Sequence, residues 1–573
     1  MTDLLSHLIF LYGAEGGPQL LDRLQEIMAK YRTRIPKRGG ELTEQDSILI
    51  TYGDQVQKSG EKPLRALSAF CSRYLSGVVN GIHILPFYPW TSDDGFSVKD
   101  YRKVDPALGD WEDISALQGD FRLMFDAVIN HASARHEWFQ AFLKDDPQYR
   151  DYFIVVEGGP DLSQVVRPRA LPLLTEFDTP SGPKQVWTTF SEDQVDLNFQ
   201  NPDVLLEIID TLLFYTAQGA DFIRLDAIAY LWKDIGTSCI HLPQTHRIIR
   251  LFRAVLDAVA PHVMLITETN VPHRENISYF GDGTDEAQMV YNFALPPLVL
   301  HTLYTGNSQI LSQWAAGLQL PSDRTTFFNF LASHDGIGIN PARGILSDTQ
   351  IDSLIEQAVR HGGLVSYKNY AGGLQIPYEL NINYFDALSD PRAEEPLNTQ
   401  VDRFMAAQAI MLALIGVPGI YFHSLFGSRS WHAGVEQTER NRTINRQKFD
   451  LVALEAELAD EASLRHQVFR RYARLLRGRA SSSAFHPHGR QQVLDFGESV
   501  FALLRTSPDE SQQVLCLHNI SDRRQSTTVH AKDISGSSSS QFIDLVTDQP
   551  VADPSNDGLV LEPFQTLWLR KEE

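Results

Sequence analysis

Cysteine is nearly absent. Cys71, Cys239 and Cys516 are the three thiols in 573 residues, far apart and without CxxC or Cys/His spacing. That excludes a disulfide framework and a zinc site, so no metal is expected and a reducing compartment is the simplest expectation. Long apolar runs are missing as well. The apolar start Leu4 to Tyr12 lacks a basic leader and a small-residue cleavage site, and no run reaches membrane-spanning length, so a cytoplasmic chain with no membrane contact is expected. Positive charge is in deficit: 50 Lys and Arg against 72 Asp and Glu give a formal charge of −22. Nucleic acid and anionic membranes are therefore poor partners. An anionic ligand has to be met by local arginines. No GxGxxG or P-loop occurs, so no nucleotide or flavin cofactor is expected.

What is present is a strand-and-helix alternation over a 43% apolar chain, long enough for two or three domains with a large core. Strand-like runs at Ser47–Tyr52, Gly81–Phe87, Phe121–Asn130, Ala220–Asp226, Val263–Thr267, Met289–Phe293, Thr325–Ser333 and Gly419–Phe422 are rich in Val, Ile, Leu and Phe, as buried parallel strands are. Helical patterns, among them Pro63–Leu75, Val204–Ala217, His246–Val259 and Arg403–Ile415, lie between several of them. Eight such strands predict an α/β fold, a (β/α)8 TIM barrel. Its parts are expected at 45–130, 201–339 and 401–484, after an N-terminal helical segment at 1–44.

Two intervals, 131–200 after strand three and 340–400 after strand seven, are too long for ordinary crossovers. Loops of that length inside a compact fold are usually functional, and on a barrel they emerge at the catalytic face, so both are expected to roof the pocket. After a helix at Leu464–Leu476, the polar stretch Arg479–Arg490 reads as a linker. Residues 485–573 read as a small antiparallel β domain.

Polar groups gather at the C-terminal ends of these strands: Asp93-Asp94-Gly95-Phe96 after strand two, Asp126 to His131 at strand three, Arg224-Leu225-Asp226 at strand four, Thr267-Glu268-Thr269 at strand five and Ser333-His334-Asp335-Gly336 at strand seven. Singly, each has a structural explanation as a cap, a solvated strand end or a turn. Jointly they bring carboxylates and imidazoles to one barrel mouth. Period-2 alternation puts Arg224 and Asp226 on one side of their strand, and a cation there lowers a carboxylate's pKa. Glu268 follows an apolar run with no cation adjacent in sequence, so its pKa is expected to sit higher. Such a pair offers one carboxylate ionised to attack and one protonated to assist departure.

These stretches resemble the four signature regions of the α-amylase superfamily, glycoside hydrolase family 13, over about residues 45–450. Gly81 to Phe87, Arg167-Pro168-Arg169, Gly236-Thr237-Ser238-Cys239, Tyr291 to Pro297 and His334 to Gly338 are similar to its sucrose phosphorylase subgroup, which uses phosphate as final acceptor and lacks the calcium ligands of secreted amylases. The resemblance implies Asp226 as nucleophile, Glu268 as general acid/base and Asp335 as the third carboxylate. It implies Asp93, His131 and His334 as the grip on glucose, with Arg224 in the same substrate-binding set and Arg446 pairing with Asp93. Phe96, Phe190 and Tyr230 match apolar walls of the sugar site. Arg169, with Arg167 beside it and Tyr378 as partner, is implied for phosphate, and bidentate guanidinium geometry suits that anion.

The second long interval departs from sucrose enzymes, reading Pro377-Tyr378-Glu379-Leu380-Asn381. Glu379 is expected to bind the acceptor. A carboxylate accepts hydrogen bonds from vicinal hydroxyls and repels an anionic acceptor unless an arginine intervenes, which favours glycerol. The expected reaction is phosphorolysis of 2-O-α-glucosylglycerol to α-glucose 1-phosphate by a monomer or homodimer that binds only small molecules. Glucosylglycerate stands next, then sucrose or sucrose 6′-phosphate. A hydrolase or transglucosidase, and a non-catalytic carbohydrate-binding subunit, are the rivals.

Overall fold

The computed structural model describes residues 2–36, 38–168, 171–369, 375–529, 541–551 and 558–572. Eight parallel strands close into a barrel: β1 (Ile48–Thr51), β2 (Gly81–Ile84), β3 (Arg122–Ala127), β4 (Ala220–Leu225), β5 (Met264–Thr267), β6 (Met289–Tyr291), β7 (Thr326–Asn329) and β8 (Val417–Tyr421). Each pairs with its sequence neighbour, and β8 closes on β1 through Ile48 opposite Gly419. The strands are shorter than the apolar runs that predicted them, because the polar ends leave the ladder and turn into the mouth. Every residue of β4 is buried, as expected of a strand with the barrel interior on one side and helices on the other.

The helix Thr2–Arg32 is interrupted at Gly13, held at φ 83° outside helical geometry, and carries Pro18 within it. It lies against the helices Pro202–Ala217 and Pro243–Val259, on the outside of the barrel. Among the described residues no helix is long and apolar enough to cross a membrane.

The interval after β3 folds around a small core of Val156, Val165, Leu173 and Trp187, joined by Cys239 from the stretch after β4. A hairpin, Leu174–Phe177 with Lys184–Trp187, closes that core. The strand Gln194–Asp196 returns antiparallel to His131–Ser133 and lays the end of the interval against the barrel mouth. The interval after β7 contributes the helix Asp348–Arg360 and a sheet in which Gln375–Asn381 lies between Ile337–Gly338 and Leu364–Asn369. Gly336 is required there: a Cβ would lie 2.5 Å from the carbonyl oxygen of Leu380. The second glycine pair of this interval, Gly372-Gly373, and the serine-rich turn Gly536–Ser540 lie outside the described residues.

The last sheet is antiparallel and six-stranded, with Val500–Thr506 and Gln513–Asn519 near its middle. Phe501, Leu503, Cys516 and Trp568 join the core shared with the barrel, so this sheet is packed onto the barrel and not tethered by a solvated linker. Arg479 shows the difference best. It ends the helix Leu464–Ala480, fully buried, and donates to the carbonyls of Leu412, Glu44, Asp46, Gly416 and Phe485 at 2.5–3.2 Å. Read as sequence, it was the first residue of a polar linker.

Candidate active site

The mouth of the barrel is built outward from β4. Arg224 donates to Asp226 Oδ1 at 2.8 Å and to Asp126 at the end of β3. Asp126 also meets His83 Nε2 of β2 at 2.7 Å. Burial favours the neutral form of Asp126, but Arg224 and His83 outweigh it and hold its carboxyl below the usual range. Asp126 is therefore the permanent anion that fixes Arg224 beneath Asp226.

Immediately after Asp226 the backbone enters the left-handed region at Ala227, φ 46°, which costs a non-glycine residue on the order of 1–3 kcal/mol. The turn aims the Ala227 amide at Glu268, whose Oε2 it meets at 3.0 Å. Strained backbone thus ties the end of β4 to the end of β5.

The expectation that Arg224 sets the two carboxyls apart is only partly met. Burial pushes Asp226 well above the usual carboxylate range despite Arg224, with Glu268, Asp126 and Asp335 adding to the rise. Burial raises Glu268 too, again against Arg224. Two interacting carboxyls in one apolar site titrate as a pair. Arg224 stands 2.8 Å from Asp226 and 3.9 Å from Glu268, so the proton the pair retains belongs on Glu268.

Asp335, after β7, behaves in the opposite way. Burial is overcome by Arg442, His334, Arg446 and Arg224, and its carboxyl falls far below the ordinary range. Arg442 Nη1 lies 2.5 Å from its Oδ1. His334 stacks on Phe96, centroids 4.7 Å and planes 4° apart, and burial drops its pKa to about 3, so it meets a ligand as neutral imidazole. His131 Nε2 lies 2.8 Å from the Phe96 carbonyl, and burial lowers its pKa as well. Phe190 and Tyr230 meet edge to face at 5.7 Å.

Asp226, Glu268, Asp335, Asp93, Phe96, His131, Phe190, Tyr230, His334 and Tyr378 all line one cavity of about 80 Å³. A second cavity of about 750 Å³ lies beside it; Asp93, Pro168, Gln194, Tyr378 and Arg442 line both.

Other expectations are displaced. Arg446 closes on Asp94 Oδ2 at 2.5 Å, one residue beyond the aspartate named for it, with Asp93 also raising the arginine's pKa; Asp93 and Asp94 both adopt positive φ, 54° and 50°, and the turn presents the second carboxylate to the arginine. Arg167 donates to the Leu171 carbonyl and is not among the residues lining either cavity. Arg169 lies outside the described residues. The hydroxyl oxygen of Tyr378 accepts from Asn270 Nδ2 at 3.1 Å, which leaves its proton to be offered elsewhere.

Glu379 requires a correction. Expected as a free carboxylate facing the acceptor, it is buried, takes Arg442 Nε and Nη2 at 3.0 and 2.7 Å, and accepts from Asn381 at 2.6 Å. An arginine does intervene, and the argument for a neutral acceptor falls with it. Sequence reasoning missed Arg442 because it stands 63 residues from Glu379, in no recognisable pattern. The one available signal was its position four residues before Arg446. Asn270, two residues past Glu268, and the buried pair of Lys233 and Asp196 at 2.6 Å were missed for the same reason.

The arrangement of a carboxylate held by an arginine, a second carboxyl that shares a proton with it and a third beside a neutral histidine suits displacement at an anomeric carbon. Comparison with known proteins agrees. The family description "Alpha amylase, catalytic domain" matches residues 73–335. A glucosylglycerate phosphorylase of Allomeiothermus silvanus is 53% identical over 566 residues, 99% of this chain and 98% of that one. A glucosylglycerol phosphorylase of Marinobacter adhaerens is 29% identical over 453 residues, 77% of this chain and 88% of that one. The crystal structure of a sucrose 6F-phosphate phosphorylase from Thermoanaerobacter thermosaccharolyticum superposes with a TM-score of 0.73 at 26% identity, covering 84% of this chain and 94% of that one. The chain belongs to the α-amylase family, glycoside hydrolase family 13, in its sucrose phosphorylase subgroup, and is an enzyme of the glucoside phosphorylase type.

Proposed function

We propose that the enzyme carries out reversible phosphorolysis of an α-glucosylglycerate, giving α-glucose 1-phosphate and glycerate by double displacement. The observation that carries this reading is the 53% identity over almost the whole length to a glucosylglycerate phosphorylase, against 29% over 77% of the chain to a glucosylglycerol phosphorylase. The ion pair between Arg442 and Glu379 supports it, since it removes the anionic repulsion that had favoured glycerol.

In the first step Asp226 attacks the anomeric carbon, the glycosidic C–O bond breaks and the proton of Glu268 passes to the departing oxygen. Asp335, Asp93, His131 and His334 hold the sugar hydroxyls, and Phe96, Phe190 and Tyr230 exclude water from the ring. In the second step a phosphate oxygen attacks the same carbon, the bond to Asp226 breaks and Glu268 takes up the phosphate proton. Two inversions leave the configuration retained. Arg169 and Tyr378 are the proposed phosphate ligands, Tyr378 through the proton that Asn270 leaves free.

The test is a reverse-direction screen with α-glucose 1-phosphate and glycerate, glycerol, fructose and fructose 6-phosphate. Glycerate is expected to give the highest kcat/KM; preference for glycerol would restore the glucosylglycerol reading. Glucose release at equal rates with and without phosphate, and no glucose 1-phosphate, would make the enzyme a hydrolase.

A further inference from the structure

A glycerate-consuming enzyme has to draw an anion into an acidic mouth. Besides Glu379, which Arg442 offsets, the cavity of about 750 Å³ beside the catalytic pocket is lined by the carboxylates of Asp93, Glu192, Asp193 and Glu439. Hydrogen bonds from Thr91, Ser92 and Ser97 to Asp193 solvate that group without neutralising it. An acceptor carboxylate placed here meets like charge on several sides, in a chain of net charge −22. Binding it requires a cation that is not already spent.

Three described cations line this cavity: Arg440, Arg442 and Arg446. Arg442 is committed to Asp335 and Glu379. Arg446 is committed to Asp94 and to the His334 carbonyl. Arg440 makes no side-chain hydrogen bond or ion pair among the described residues, where its amide bonds Thr438 and its carbonyl accepts from Thr443. It is exposed. Its position is not accidental to the backbone: Glu439, which closes the helix His432–Thr438, is held at φ 56°, a conformation that side-chain-bearing residues adopt at a cost. The chain leaves that turn through Arg440 and passes directly into the short turn Asn441–Asn445 that carries Arg442.

We propose that Arg440 is the residue that reads the carboxylate of the acceptor, a guanidinium held at the mouth for a hydroxy-carboxylate. The inference rests on the glycerate reading above and adds the group that recognises the charge. Arg442 and Glu379 then form the fixed, neutralised wall against which the acceptor's hydroxyls lie, and Arg440 distinguishes glycerate from glycerol.

Arg440→Ala and Arg440→Lys test this in the full-length enzyme, with circular dichroism to check the fold. Synthesis is measured from α-glucose 1-phosphate with glycerate, and phosphorolysis is measured against inorganic phosphate. Arg440→Ala is expected to raise KM for glycerate about tenfold or more, the usual effect of losing a charge-assisted contact. The kcat and the KM values for α-glucose 1-phosphate and phosphate are expected to stay within twofold. Arg440→Lys is expected to recover part of the loss, and added salt to shrink the gap. An unchanged KM for glycerate overturns the proposal. So does an equal rise in KM for phosphate, which would make Arg440 a general attractor of anions. Failure of the unaltered enzyme to use glycerate at all overturns the glycerate reading itself, and shows this before any variant is made.

Discussion

At the floor of the catalytic pocket His83, Asp126, Arg224 and Asp226 form a chain of short contacts across three neighbouring strands, opening on a cavity of about 80 Å³. At the mouth, the cavity of about 750 Å³ is walled by the two long intervals and the turn around Arg440, with paired and unpaired charges side by side. The floor has one possible arrangement, because strand register sets every Cα and burial punishes any unpaired charge. The mouth has several, because its residues come from loops whose partners lie far away in sequence. Chemistry is therefore a property of the strands, and acceptor choice a property of the loops, as on barrels generally.

Breaking the floor is expected to have the largest effect. Asp226→Asn should lower kcat by about 10⁴-fold or more with every acceptor alike, the scale at which loss of a nucleophile is felt. A loss confined to one acceptor would dissolve the distinction between floor and mouth.

Arg479, on the opposite face of the barrel, should affect stability alone. Arg479→Met strips five carbonyls of their donor and is expected to cost about 3–5 kcal/mol, read as the denaturation midpoint, with KM values unchanged. Stability close to that of the unaltered protein would mean that water replaces the guanidinium.

Arg442 joins the two regions. Arg442→Gln is expected to lower kcat/KM about 10- to 100-fold, falling more on glycerate than on glycerol because Glu379 loses the cation that offsets it. An equal fall on both would place Arg442 wholly with the floor.

The smallest effects concern protons. Burial raises Asp226 and Glu268, so kcat/KM should fall as pH climbs through the loss of their shared proton, above the ordinary carboxylate range. Glu268→Gln, assayed with α-glucosyl fluoride, should lose that limb. The sign for stability is the same. A carboxyl whose folded pKa exceeds its unfolded value stabilises the fold below the unfolded pKa, and that contribution is lost as pH rises through the folded one. Asp226→Asn should therefore raise Tm at neutral pH, by the equivalent of about 1 kcal/mol, and the advantage should vanish in acid. A lower Tm at pH 7 would mean that Arg224 more than repays the burial of Asp226.

The eight strands could be read from the chain because buried parallel strands demand continuous apolar runs, and Asp226, Glu268 and Asp335 stood out because each interrupts such a run at its end. The environment of Glu379 could not be read. Its polarity in isolation pointed to a neutral acceptor, and only the folding of the second long interval brought Arg442 onto it. Asp94 joins Asp93 beside Arg446 for a local reason that composition does not record, two successive residues at positive φ. Arg479 looked solvated because a charged residue gives no hint that five carbonyls await it.

The sequence by itself determined the barrel, its catalytic face and the carboxylates aimed into it, since hydrophobic periodicity and strand direction act locally along the chain. The tertiary structure alone decided which carboxylates Arg442 and Arg446 neutralise, and left Arg440 without a side-chain partner among the described residues. Charge pairing depends on distance in space, and the carboxylates that Arg442 and Arg446 meet lie 63 to 352 positions from them along the chain.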